Sequence, residues 1–154
     1  RLKEIVATEE PISRAFLKKR CLASFGIIKS GTKVDSRLDS LIDACGFAHD
    51  RANGFDYYYK NARAITVGKF RTDDSRSLRK TEEDFTVYEI LSLVKGALEE
   101  RVALYMDELL QLVSEVFREV KMNEKFSTFV RDCVGYGEEK GLFVRSVSDR
   151  ISLA

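Results

Sequence analysis

Residues 26–34 read Gly-Ile-Ile-Lys-Ser-Gly-Thr-Lys-Val, two glycines separated by four residues and followed by a hydroxyl and a lysine. This is close to the phosphate-cradling loop of nucleotide hydrolases, G-x-x-x-x-G-K-[ST]. In that loop the lysine directly follows the second glycine and reaches the β/γ-phosphates, and the hydroxyl comes next, for magnesium. Here Thr32 precedes Lys33, so the two groups would act from the wrong positions. The loop must also follow a buried strand and open a helix. What precedes it is a run in which Phe16, Leu17, Cys21 and Phe25 recur at helical spacing, with lysines and arginine between. The order is helix, turn, helix, so residues 26–34 are expected to be the turn into a third helix.

The remaining chemistry-bearing residues form no catalytic pattern. His49 is the only histidine, with no acidic or cysteine cluster around it, so it reads as a polar residue on a strand. The carboxylates Asp73-Asp74, Glu82-Glu83-Asp84, Glu99-Glu100 and Glu138-Glu139 are sequence neighbours, which do not face one another on a helix. None has the histidine, lysine or ligand spacing that acid–base or metal work needs. Tyr57-Tyr-Tyr59 reads as a half-buried strand rather than a base-stacking platform. No enzyme activity and no cofactor are expected.

The elements that must position the turn come next. The chain has 154 residues, 44% hydrophobic and 33% charged, enough apolar material for one domain or two small ones. No stretch reaches the roughly 18 apolar residues of a membrane span, and there is no secretory signal. Cys21, Cys45 and Cys133 form no CxxC pair, and each falls on or beside the apolar face of an expected helix. They read as small buried hydrophobes in a reducing, cytoplasmic compartment. The first residue is not methionine and the opening Arg1-Leu-Lys-Glu-Ile-Val6 already reads as helix, so a segment of a longer protein is expected.

Shifted by 92 positions, the sequence meets itself. Val6 falls on Leu98, Ile12 on Leu104, Leu17 on Leu109, Cys21 on Val113 and Phe25 on Phe117. Val34 falls on Phe126, Leu38 on Val130, Leu41 on Cys133 and Ile42 on Val134, without a gap. Polar identity drifts while apolar placement holds, as two copies of one core would show. Each copy reads as a short helix, a second helix, a turn, a third helix and two strands. Ser13 is placed to cap the second helix, Asp35 suits the first turn of the third, and Gly46 stops it. Asn53-Gly54 between β-prone runs is a hairpin signal. Gly141–Val144 and Arg150–Leu153 are the equivalent hairpin in the second copy. Ile65–Val67 reads as a further strand, and Gly96 as the end or bend of a helix that begins at Val87 after Thr86. The expectation is an α+β, mainly helical protein of two tandem winged-helix units, helix-turn-helix plus β-hairpin. They span 1–68 and 86–154, with a charged linker at 69–85.

In a helix-turn-helix the third helix enters the major groove. Here that helix spans about 33 to 45, with Val34, Leu38, Leu41 and Ile42 expected to face the core and Lys33, Ser36, Arg37 and Ser40 to face out. Lys29 and Lys33 flank the turn, Thr32 stands between them, and Arg51 lies on the hairpin. These suit phosphates, with Ser36 or Arg37 near base edges. The second copy offers Lys121, Lys125, Thr128 and Arg131, but Glu124 and Asp132 intrude. The competing reading is of ordinary solvated charges, which Asp35, Asp39 and Asp43 on the same helix favour. Charge leans the same way as the candidate surface. Residues 1–60 carry 11 Lys+Arg against 8 Asp+Glu, whereas 87–154 carry 9 against 12.

Ile5-Val-Ala-Thr-Glu-Glu-Pro-Ile12, followed by Phe25-Gly-Ile-Ile-Lys-Ser-Gly-Thr-Lys-Val34, resembles the domain of unknown function 3320 at the C-terminus of large bacterial superfamily I helicases. That pattern is roughly I-V-x-x-E-x-P-I, a helix, then L-G-F-x-R-[TA]-G-S-R-I. Lys29 and Lys33 stand where the family has arginines, Gly31 matches its glycine and Thr32 its serine. The second copy, Phe117 to Phe126, departs from it: Asn123 replaces the glycine and Glu124 the hydroxyl. The resemblance covers nearly the whole chain and implies a parent DNA helicase whose motor motifs lie outside it. A non-catalytic accessory module that binds duplex DNA is then expected. A module that docks on other domains of the parent or self-associates is the alternative. No membrane partner is expected.

Overall fold

The computed structural model describes residues 1–59, 79, 81–118 and 120–154. They form a mixed α+β, mainly helical protein with six α-helices and two three-stranded sheets among the described residues. Two compact units result. The first holds residues 1–59 with Glu83–Thr86, and the second holds 79, 81–82, 87–118 and 120–154.

Unit 1 runs α1 (Leu2–Glu9), β1 (Ile12–Ser13), α2 (Arg14–Ala23), α3 (Thr32–Cys45), β2 (Ala48–Ala52) and β3 (Phe55–Tyr59). The Ser13 hydroxyl accepts from the Phe16 amide and so caps α2 at the first turn. Gly46, in the left-handed region at φ +63°, ends α3. Asn53 and Gly54 both have positive φ, +52° and +83°, which is the two-residue primed turn that matches strand twist. The sheet order is β1-β3-β2, antiparallel throughout, with Ile12 opposite Tyr58 and His49 on Tyr58's other side. Val6, Ile12, Phe16, Leu17, Ile42 and Tyr57 are fully buried, each worth about 1.5–3 kcal/mol of transfer free energy. Tyr57-Tyr-Tyr59 is buried along its whole length, further than the half-burial expected. Two of the ion pairs of α2 reach buried acids: Arg20 to Glu9 of α1, and Lys19 to Asp84, each 2.5 Å apart.

Unit 2 repeats this order with α4 (Val87–Arg101), β4 (Ala103–Tyr105), α5 (Met106–Val116), α6 (Glu124–Glu139), β5 (Phe143–Arg145) and β6 (Arg150–Leu153), and its sheet order is β4-β6-β5. α2 and α5 begin 92 residues apart, as do α3 and α6. Leu98, Leu104, Leu109, Val113, Val130 and Val134 are as buried as their counterparts Val6, Ile12, Leu17, Cys21, Leu38 and Ile42. The offset fails in the hairpins and at the first helix, where α4 begins seven residues ahead of the position that matches the start of α1. α6 has 16 residues against 14 for α3, and the second hairpin closes over 146–149 instead of two residues.

Three expectations need correction. Gly96 neither ends nor interrupts α4, which continues to Arg101. A single interior glycine costs a helix about 1 kcal/mol, and the buried Val87, Ile90, Leu91, Val94 and Leu98 outweigh it. Val34 and Leu41 do not join the core with Leu38 and Ile42 but are exposed. Phe25 lies beyond the end of α2 and is exposed as well. The expected strand at 65–67 lies outside the described residues, as does most of 69–85. Of that stretch, Arg79, Asp84 and Phe85 are buried.

Candidate nucleic-acid interface

α3 carries acids along one side. Asp35, Asp39 and Asp43 recur every four residues and face α2. Lys18 on α2 lies 3.0 Å from Asp35 and 3.2 Å from Asp39. Arg14, one turn earlier, donates to Asp39 at 2.9 Å and to Asp43 at 2.6 Å. Its Nε donates to the Tyr58 hydroxyl at 2.9 Å, and the guanidinium lies over the Tyr58 ring, 5.4 Å from the centroid. Burial alone would lower the Arg14 pKa, but the bonds to Asp43, Asp39 and Tyr58 outweigh it and hold the guanidinium charged above its usual range. The bond from Arg14, joined by Lys18, holds the Asp39 carboxyl below the usual carboxylate range, against the opposing effect of burial.

With its carboxylates held by α2, α3 presents a basic outer face. Lys29, Thr32, Lys33, Ser36, Arg37 and Ser40 are all exposed. Among the described residues no carboxylate lies in ion-pair range of Lys29, Lys33 or Arg37. α3 starts at Thr32 on Gly31, which has no side chain to occupy the first amides. Arg51 is elsewhere. It pairs with Asp56 across the hairpin at 3.6 Å and lines an open cleft of about 310 Å³ with Arg14 and Lys18, beside Glu83. The structure therefore gathers Lys29, Thr32, Lys33, Ser36 and Arg37 at one end of one helix and sets Arg51 against the start of α2. Arg14 and Lys18 were not singled out from the sequence. Their signal, two cations one turn apart opposite three acids one turn apart, needed the pairing of the two helices to be recognised.

Unit 2 differs at the same place. Asn123, the counterpart of Gly31, turns its side chain onto α6 and accepts from the Phe126 amide at 2.9 Å. The helix start that is open in unit 1 is thus closed in unit 2. Lys121, Lys125, Thr128 and Arg131 are exposed, with Glu124 and Asp132 exposed among them.

His49 lies exposed on β2 with its ring 5.9 Å from that of Tyr58. Among the described residues no group of three or more His, Cys, Asp or Glu is placed to hold a metal ion, and no helix is long and apolar enough to cross a membrane. Cys21, Cys45 and Cys133 form no disulfide; Cys21 and Cys133 are buried and Cys45 half-buried. Burial pushes the Cys21 thiol above its ordinary pKa.

The chain matches no protein-family model, no curated protein and no solved structure.

Proposed function

We propose that the chain is a nucleic-acid-binding accessory module of two winged-helix units, and that unit 1 meets duplex DNA through the outer face of α3. The order helix, strand, helix, helix, strand, strand, with the first strand beside the last, supports the winged-helix reading of each unit. The third helix of such a unit reads the major groove with its N-terminal residues. The observation that carries the reading is the sorting of charge across α3. Its three acids are neutralised by Arg14 and Lys18, and Lys29, Lys33 and Arg37 stand exposed without acidic partners among the described residues. Lys29 and Lys33 hold phosphates, Thr32 and the open helix start add donors, and Ser36 and Arg37 lie toward base edges. Unit 2 has a supporting role, since Asn123, Glu124 and Asp132 oppose an anion at its equivalent face. The segment is non-catalytic. Its resemblance to the C-terminal domain of bacterial superfamily I helicases places it, in this proposal, within a cytoplasmic DNA helicase.

The test is fluorescence-anisotropy titration against duplex and single-stranded DNA at two salt concentrations. With about four phosphates contacted, log K falls with log salt at a slope of roughly −3.6. Lys29→Glu with Lys33→Glu halves that slope and abolishes binding at physiological salt. Unchanged affinity in the double variant refutes the assignment of this face.

A further inference from the structure

The ion network between α2 and α3 belongs to unit 1 alone. At the 92-residue offset Arg14 and Lys18 correspond to Met106 and Leu110, and Asp35, Asp39 and Asp43 to Ser127, Arg131 and Gly135. Five charged positions in unit 1 thus carry a single charge in unit 2. Met106 and Leu110 are half-buried in α5, and among the described residues no ion pair joins α5 to α6. Unit 2 builds the same order of elements without the network, so the fold does not require it.

Helix stability does not account for it either. Asp43 lies in the last turn of α3, where the helix dipole disfavours a carboxylate. The Lys18 side chain is 16% exposed, and desolvation of its ammonium offsets much of what its two partly exposed carboxylates return. What the network changes is the charge that a ligand on α3 meets. Lys29, Lys33 and Arg37 are matched in number by Asp35, Asp39 and Asp43, and Asp35 lies two residues from both Lys33 and Arg37. Without Arg14 and Lys18 this set is neutral, and with them it carries +2.

We infer that Lys18, seconded by Arg14, sets the affinity of the outer face of α3 for a polyanion without touching it. The inference rests on the duplex-binding reading above and adds to it the residue that makes unit 1, rather than unit 2, the binding copy. Lys18 acts through Asp35 and Asp39, its ion-pair partners among the described residues. Arg14 shares Asp39 but also holds Tyr58 of β3, so Lys18 is the residue whose electrostatic role separates from the packing of the unit. Leu110 shows that this position accepts an aliphatic side chain in the repeated fold. An unpaired carboxylate beside a seated phosphate weakens binding by like-charge repulsion.

The test is anisotropy titration of a labelled DNA duplex at low salt with the whole chain as wild type, as Lys18→Leu, and as Lys18→Leu with Asp35→Asn. Lys18→Leu weakens binding about three- to tenfold. Asp35→Asn, which restores the charge but not the ion pair, returns the affinity to within about twofold of wild type. The slope of log K against log salt stays as in wild type. Unchanged affinity in Lys18→Leu overturns the inference. So does a loss that Asp35→Asn does not restore, which would make Lys18 a structural residue. A slope smaller by about one also overturns it, by making Lys18 a phosphate contact. A second measurement needs no DNA. Relaxation of the ¹⁵N-labelled chain by a cationic and an anionic nitroxide compares their access to the amides of residues 33–37. Lys18→Leu shifts that ratio toward the cationic probe, and Asp35→Asn shifts it back. If wild type binds no duplex, the proposed function falls and the nitroxide ratio decides this inference alone: a ratio unchanged in Lys18→Leu overturns it.

Discussion

Arg14→Ala removes the side chain that ties three elements of unit 1 together. Arg14 donates to Asp39 and Asp43 on α3 and to the Tyr58 hydroxyl on β3, and stacks on the Tyr58 ring. The pair with Asp43 is largely exposed and contributes at most about 0.5 kcal/mol. The half-buried pair with Asp39 contributes about 1 kcal/mol after the same solvent discount. The bond to the buried Tyr58 contributes about 1 kcal/mol, and the cation–π contact about 0.5. Non-additivity within one network trims the sum, so a loss of about 2–3 kcal/mol is expected at pH 7. The pH dependence identifies the cause. Asp39 has a depressed carboxyl pKa in the folded state. Its contribution is fully present above the unfolded value of about 3.9 and is lost as pH falls through the lower folded value. The gap between wild type and Arg14→Ala should therefore be constant from pH 7 to 5 and narrow below about pH 4. Urea unfolding followed by circular dichroism at pH 7, 5 and 3 measures it. A gap under about 0.5 kcal/mol at pH 7, or one that does not narrow at pH 3, refutes the reasoning.

The remaining predictions concern the second unit and the thiols. A Cβ on Gly137 would lie 2.5 Å from the Phe143 ring and 2.8 Å from Leu91, both buried, so Gly137→Ala should destabilise by about 1–3 kcal/mol. Gly135 has open space, and Gly135→Ala should stabilise by up to about 1 kcal/mol. Denaturant midpoints that both rise would contradict the close packing of α4 on α6. With its pKa pushed up by burial, Cys21 stays protonated at neutral pH, and Cys45 should be alkylated first, ahead of Cys21 and Cys133. Peptide mass spectrometry after brief labelling reads the order, and early labelling of Cys21 would contradict it.

Local signals carried most of what was legible. Ser13, Gly46 and Asn53-Gly54 act within a few residues of themselves, so their cap, stop and turn could be read directly. The copy at 92 residues was visible because burial restrains the positions it shares. β1 and β4 were not visible. They have two and three residues, too few to alternate, and exist because β3 and β6 pair with them from more than 40 residues away. Periodicity gave Val34 and Leu41 an apolar side of α3 but could not tell whether an element covers it. The same limit applied to the candidate surface. The exposure of Lys33, Ser36 and Arg37 followed from helical spacing, whereas the fate of Asp35, Asp39 and Asp43 depended on cations 17 to 29 residues earlier.

The pairing of α2 with α3 also sets the distance over which unit 1 can be felt. Arg14 and Lys18 act as built-in counter-ions for the three aspartates, so the near field over the outer side of α3 is positive while the charge of the whole chain is only +1. At physiological ionic strength potentials fade over about 8 Å. A distant polyanion therefore senses almost nothing, and one already in contact senses lysines and an arginine undiluted by the acids behind them. Such a surface does not draw ligands in from afar. In the function proposed above, it would hold what arrives by diffusion or by tethering.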